Sequence, residues 1–359
     1  MAFVELDVDK LRHNYQFLDR LFSRNEIKWG VVSKLLCGNT TYLQQLLDLG
    51  PEQIMDSRVS NLKTVKQLNP DVQTIYIKPP AKRAIRSVIK YADVSLNTEL
   101  STIGLLSEEA VRQNKLHKII IMIELGDLRE GIMGDTLIDF YEKIFRLKNI
   151  QIIGLGTNLS CLNGILPNQD KLVQLSLYKQ LIEARFNKKI PLVSGGTSVA
   201  IPLIRINQIP SGINHFRVGE TLFLGNDILN EKPYHGMKQN GIKLYAEIIE
   251  LVEKPLVPTG PVGSNVAGET PEFDPSDLGK TAYRAILDIG LLDIDTDHME
   301  PFDKKIKLGG ASSDMIVVEL GNRKPKYKVG DLIPFKLTYM GILGVMNSKY
   351  IDKRIKETD

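Results

Sequence analysis

Lys34 closes a short β-branched run in the segment WGVVSKLLCGN. A lysine just past a buried strand can be stripped of water, which makes its neutral amine available for a Schiff base. A solvated cap on the strand end is the other reading of the same residue. Later in the chain, SGGTS gathers Ser194, Gly195, Gly196, Thr197 and Ser198. Its two glycines let backbone amides approach an anion, and its hydroxyls add donors at a helix start, so the loop reads as a phosphate cradle. FRVGETLFLG adds Gly219 at a second helix start, and Arg217 one residue before Val218. From pattern alone Arg217 points either outward to a salt-bridge partner or inward to a bound ligand.

Other chemistries lack their residues. There is no Cys-x-x-Cys pair, His-Glu-x-x-His run, Asp-rich calcium loop or GxGxxG, so no protein-bound metal is expected. The two cysteines, Cys37 and Cys161, read as reduced thiols and not as a secretory disulfide framework. His215 adjoins an expected strand and reads as a structural imidazole, and His298 as a loop residue. A net charge of +3, with Lys and Arg scattered among Asp and Glu, argues against nucleic acid as a partner. The N-terminus has neither a signal-peptide nor a transit-peptide pattern, and the apolar run around Ile119–Ile123 is too short to span a bilayer. A cytoplasmic protein with no membrane partner is the expectation.

Positioning these residues requires a repeated frame. From Ile27 onward, short apolar runs alternate with turns and amphipathic stretches, which implies a parallel sheet. Eight strands are expected, near Lys28–Ser33, Gln53–Met55, Gln73–Ile77, Asp93–Leu96, Lys118–Glu124, Gln151–Gly156, Pro191–Ser194 and His215–Val218. Stretches such as TYLQQLLDLG and DTLIDFYEKIFRL, with apolar positions three and four apart, supply the helices. The fold class is therefore α/β, a (β/α)8 TIM barrel over residues 1–235, close to the ~250 residues typical of that fold. Strand-like runs LYAEIIELV, YRAILDIGLLDI, SDMIVVEL and DLIPFKLTYMGIL then define a mainly β domain over residues 236–359. Lys254–Lys280, with five prolines, is expected as a long surface loop that can reach a partner subunit. In such a barrel, ligands bind at the C-terminal strand ends, and phosphate commonly after strands seven and eight. Lys34, SGGTS and Gly219 all fall there.

Several motifs in order resemble the alanine-racemase-like, fold-type III family that uses pyridoxal 5'-phosphate. They are VVSKLLCGN, DSRVSNL, ELGDLREG at Arg129, LGTNLS at Asn158, SGGTS, FRVGE and GASSDMIVVEL, and the resemblance spans nearly the whole chain. It is strongest to the branch acting on ornithine, lysine and similar amino acids. By this resemblance Lys34 carries the cofactor, Ser198 and the amides near Gly219 grip its phosphate, and Asn158 lies against the ring. Arg217 would face the pyridine nitrogen and keep it unprotonated, which weakens the ring as an electron sink. Arg129 corresponds to an arginine beside the cofactor's phenolic oxygen or the substrate carboxylate; a pair with Glu130 or Asp127 is its alternative. The resemblance also implies a homodimer, in which the second domain of one subunit covers the barrel mouth of the other.

Racemisation needs a proton-transfer group on each face of a planar Cα, and Lys34 serves one. Alanine racemases supply the other with a tyrosine just after a glycine, but DIGLLDID has Leu291 after Gly290. Asp293, Ser313, Asp314 and Tyr339 are the candidates in its place, with Asp293 taken as catalytic. The expected function is racemisation of a basic amino acid such as ornithine or lysine. Alanine racemisation, a decarboxylase or aldolase on the same fold, a non-catalytic cofactor carrier and a phosphosugar-binding barrel are the competing readings.

Overall fold

The computed structural model describes residues 2–264, 268 and 270–357. Contacts divide the chain into two compact units, Asp9–Gln239 and Met1–Val8 with Asn240–Asp359. The strands in chain order begin with β1 (Phe3–Leu6), β2 (Lys28–Val32), β3 (Gln53–Asp56), β4 (Gln73–Tyr76) and β5 (Val94–Asn97). They continue with β6 (His117–Met122), β7 (Ile150–Gly156), β8 (Leu192–Thr197) and β9 (His215–Val218).

Strands β2 to β9 form the expected closed parallel barrel. Closure sets Lys28 opposite His215 and Gly30 opposite Arg217, while Val31 faces Ile54 on the other side. Parallel strands are covered on both faces, which is why they read as apolar runs without alternation. Val32, Met55, Ile75, Val94, Leu96, Ile120 and Met122 form one apolar cluster from these strands. Burying each such side chain contributes roughly 1.5–3 kcal/mol. The helices start on local caps: the Asn39 side chain accepts the N–H of Tyr42 and the Asn168 side chain that of Lys171, each at 3.0 Å.

After a short hairpin of β10 (Asn226–Asp227) and β11 (Lys232–Pro233), the second unit contributes β12 (Ile242–Pro255), β13 (Thr281–Leu287) and β14 (Met299–Pro301). Strands β15 (Lys307–Ala311), β16 (Ile316–Glu319), β17 (Leu332–Leu337) and β18 (Asp352–Ile355) complete it. Their order is β14-β17-β12-β13-β16-β15, with β1 antiparallel to β12 and parallel to β18. β1, which the sequence reading counted with residues 1–235, thus pairs in the second unit's sheet. Burial alternates along the first half of β12, as a half-covered antiparallel strand requires.

Two details of the second unit differ from expectation. The stretch TYMGIL leaves the sheet as the helix Tyr339–Asn347, because the Thr338 hydroxyl accepts the Gly341 N–H at 3.2 Å and Ile342, Val345 and Met346 bury one face. In YRAILDIGLLDI, only the part up to Leu287 is strand. Of Lys254–Lys280, residues 265–267 and 269 lie outside the described residues, and the described remainder beyond β12 is largely exposed.

Candidate active site

Lys34 opens the single turn Lys34–Leu36 directly after β2. Its side chain is exposed, so the barrel itself does not supply the desolvation expected for it. Beneath it lies a carboxylate that sequence reasoning overlooked. Asp56, the last residue of β3, is fully buried, and its carboxylate accepts the Ser33 hydroxyl at 3.0 Å, the Arg58 N–H at 2.8 Å and the Asn61 amide at 3.2 Å. Burial raises the Asp56 pKa, and these three donors together with the nearby Lys34 ammonium pull against that rise. Lys34 acts in the same way on Glu220, whose carboxyl is also raised by burial. The lysine's charge is therefore felt by two carboxyl groups, one at the end of β3 and one just after β9. An acidic residue closing an apolar run, as in QIMD, is the signal that could have found Asp56.

Arg217 points inward. It is 4% exposed, donating from one terminal nitrogen to the Ser194 hydroxyl and from the other to the Thr157 carbonyl at 2.7 Å. Burial lowers its pKa to about 10, which leaves it a cation at neutral pH. A bulge follows Ser194 in β8. Pairing runs from Ser194↔His215 to Thr197↔Arg217, so β8 has one more residue than β9 over that interval. The Ser194 hydroxyl also lies 2.9 Å from His215 Nδ1.

Ser198 begins the turn Ser198–Ala200, and its hydroxyl oxygen accepts the N–H groups of Gly219 at 3.2 Å and Thr221 at 3.3 Å. Where the sequence suggested a phosphate cradle, two amides converge on one hydroxyl. Gly219 approaches β2 closely, since an added Cβ would lie 3.0 Å from the Val32 carbonyl oxygen. Gly196 has φ +140, a region that side-chain-bearing residues rarely adopt. Gly195 has a packing reason instead: a Cβ there would meet Ile213 Cγ2 at 2.4 Å. Thr197 is half-buried at the end of β8.

The loops after β6 and β7 are clipped together by Asp127. Its buried carboxylate accepts the N–H groups of Leu162, Cys161, Asn163 and Ile165 at 3.0–3.4 Å. Burial pushes this carboxyl up, but the four amides outweigh it and the pKa falls below its ordinary value. Arg129 in the first loop makes a two-pronged ion pair with Glu130, the alternative raised from its sequence. That pair stands near enough to Arg217 for both of its charges to be felt there. In the second loop Asn158 is 6% exposed, and its Nδ2 has no hydrogen-bond partner among the described residues. The neighbouring Thr157 hydroxyl is buried in the same condition.

The barrel thus brings Lys34, Arg129, Asn158, Gly196, Thr197, Ser198, Arg217 and Gly219 to or near the C-terminal ends of its strands, with Ser194 and Gly195 deeper in β8. Asp293 belongs to the second unit, where the Ser348 hydroxyl donates to its carboxylate. Leu291 and Leu292 precede it, both exposed, on a loop that bonds Leu291 N–H to the Ser312 carbonyl. Gly290 is required there, because a Cβ would lie within 2.5 Å of the Asp314 backbone. Neither cysteine is in a disulfide. Among the described residues no group of three His, Cys, Asp or Glu could hold a metal, and no helix is long and apolar enough to cross a membrane.

The chain is an eight-stranded parallel barrel with a lysine, an inward arginine and a hydroxyl-amide cluster at its C-terminal rim, where barrels of this kind bind their ligands. The chain belongs to the alanine racemase family, whose N-terminal domain description matches residues 6–227. It is 36% identical over 98% of its length to an ornithine racemase of Acetoanaerobium sticklandii, covering 99% of that protein. It is 30% identical over 97% of its length to a lysine racemase of Thermotoga maritima, covering 96% of that protein. Among solved structures, an alanine racemase from Bartonella henselae with covalently bound pyridoxal phosphate superposes with TM-score 0.73 at 16% identity, covering 99% of both chains.

Proposed function

We propose that this protein is a pyridoxal-phosphate-dependent racemase of a basic amino acid, ornithine or lysine. The full-length similarity to the ornithine and lysine racemases supports the substrate class. The observation that carries the cofactor reading is a set of unspent donors at the barrel rim. Asn158 Nδ2 and the Thr157 hydroxyl are buried with no partner among the described residues, although unpaired buried polar groups are costly. Among the described residues Arg217 bonds only through its terminal nitrogens, which leaves its Nε–H available to a ligand. These residues fit the cofactor.

Each group then has one task. Lys34 would hold the cofactor, and its Nζ would take or return the Cα proton on one face. Asp56 and Glu220 are the carboxyl groups near that side chain. Ser198, Thr197 and the amides of Gly219 and Thr221 bind the phosphate, with Gly195 and Gly196 shaping the turn. Asn158 would lie against the ring, and Arg217 would face the ring nitrogen. Arg129 binds the substrate carboxylate or the phenolic oxygen. When bound, the cofactor supplies the conjugated electron-withdrawing system that makes the Cα proton removable. The proton-transfer group on the second face comes from residues 236–359 of another copy in a homodimer, with Asp293 the first candidate. The protein acts in the cytoplasm on free amino acids.

Cα proton-to-deuterium exchange of L- and D-ornithine, lysine and alanine, followed by NMR beside chiral chromatography, tests this reading. Exchange with inversion in both directions, fastest for ornithine or lysine and lost in Lys34→Ala, is the expected result. Exchange without inversion would favour an aldolase or decarboxylase, the reading that Leu291 favours. Absence of exchange by the cofactor-loaded protein would leave a carrier.

A further inference from the structure

Arg217 is held from behind by a continuous chain of buried polar groups that crosses the barrel. Its guanidinium donates to the Ser194 hydroxyl; Ser194 Oγ lies 2.9 Å from His215 Nδ1; His215 Nε2 lies 2.9 Å from Gln53 Oε1; and Gln53 Nε2 donates to Gln73 Oε1 at 2.8 Å. Ser194 is fully buried, and His215 is 1% exposed. Gln53 and Gln73 line a cleft of about 400 Å³ shared with Lys28, Lys118 and Asn214, at the opposite end of the strands from Lys34. The chain joins β9, β8, β3 and β4, so it exists only because the barrel closes.

The direction of its hydrogens follows from one fixed end. A guanidinium donates and never accepts, so Ser194 must offer Arg217 a lone pair. The serine hydrogen then has His215 Nδ1 as its acceptor, which puts the imidazole hydrogen on Nε2, facing the Gln53 carbonyl oxygen. The opposite tautomer leaves the buried serine hydrogen without an acceptor and sets the Nε2 lone pair against the Gln53 oxygen, a costly arrangement. Burial, with Arg217 and Lys28 adding repulsion, lowers the His215 pKa to about 3, so the ring stays neutral.

We propose that Ser194 and His215 are positioning residues that fix the guanidinium of Arg217, with His215 locked as the neutral Nε2–H tautomer. This inference rests on the reading of Arg217 as the group at the cofactor's ring nitrogen. Ser194 thereby leaves the set of cofactor contacts and becomes the support of one. The bonds to Ser194 and to the Thr157 carbonyl hold both terminal nitrogens of Arg217, its Nε–H has no partner among the described residues, and the chain of polar groups offers no carboxylate to share the guanidinium charge.

The first readout needs no activity. In protein labelled with ¹⁵N at histidine, with the His215 signal assigned by its loss in His215→Asn, long-range NMR correlations read the tautomer in cofactor-free and loaded forms. A neutral Nε2–H ring, unchanged from about pH 5 to 9, is expected. An Nδ1–H ring, or titration within that range, would overturn the proposal.

The second readout separates positioning from packing. An asparagine places its Oδ1 near the Nδ1 position, whereas a glutamine reaches towards the Nε2 position. His215→Asn therefore keeps an acceptor for Ser194 and stays within about threefold of wild-type kcat, while His215→Gln and Ser194→Ala lose about tenfold or more, with KM little changed. Equal losses in the two His215 variants, or none in Ser194→Ala, would overturn it. If the wild type inverts no amino acid, the racemase reading fails while the tautomer result still decides this chain. Should the variants fail to fold, the wild-type tautomer decides alone.

Discussion

The hydroxyl oxygen of Ser198 stands 3.2 Å from the backbone nitrogen of Gly219 and accepts its hydrogen bond, joining the C-terminal ends of β8 and β9. The same oxygen takes the Thr221 N–H, so two amides that a phosphate could use are already aimed at one point.

Replacing Ser198 by alanine removes that acceptor and one hydroxyl from the phosphate site. Cofactor affinity should fall about tenfold, the loss of one hydrogen bond to a charged group. Fluorescence titration of cofactor-free protein measures it. An unchanged Kd would remove Ser198 from the phosphate site.

Asp127→Ala should free the loops after β6 and β7 from one another. Up to four amides lose a charged acceptor, at a cost of about 2–4 kcal/mol. Hydrogen exchange should accelerate first at residues 161–165, and kcat should drop with it, because Arg129 and Asn158 are carried on the same two loops. Exchange confined to other segments would contradict the clip.

Acid should weaken the fold through its buried histidines. His215 and His117 have pKa values lowered by burial to about 3 and about 4, whereas each titrates near 6.5 when unfolded. Between those values the unfolded chain binds more protons than the native one, so stability falls as pH drops below 6.5. From pH 7 to 5 the His215 share is about 2 kcal/mol. Urea unfolding at the two pH values should lose that much more in the wild type than in His215→Asn.

Gly195→Ala should destabilise the barrel by about 1–3 kcal/mol, since its new methyl would overlap Ile213. Adding Ile213→Ala should recover part of the loss. Thermal denaturation of the single and double variants checks the pairing, and no recovery would locate the strain elsewhere.

The order of βα units, the eight apolar runs and the rim position of Lys34, SGGTS and FRVGE were legible in the sequence. Strand burial, helix periodicity and the turns between them depend on neighbours a few residues away, and parallel pairing follows from their alternation. Local pattern also misled: DLIPFKLTYMGIL reads as one strand, yet the Thr338 cap turns its second half into a helix.

Tertiary structure alone decided the rest. Arg217 faces inward, where its partner is Ser194, 23 residues away. His215 meets Gln53 across 162 residues because β9 closes against β2, beside β3. Asp127 binds amides 34 to 38 residues further on, and β1 pairs with strands near the far end of the chain. A residue's type announces its chemistry, but its partners are chosen by barrel closure and sheet order, which no local stretch of sequence contains.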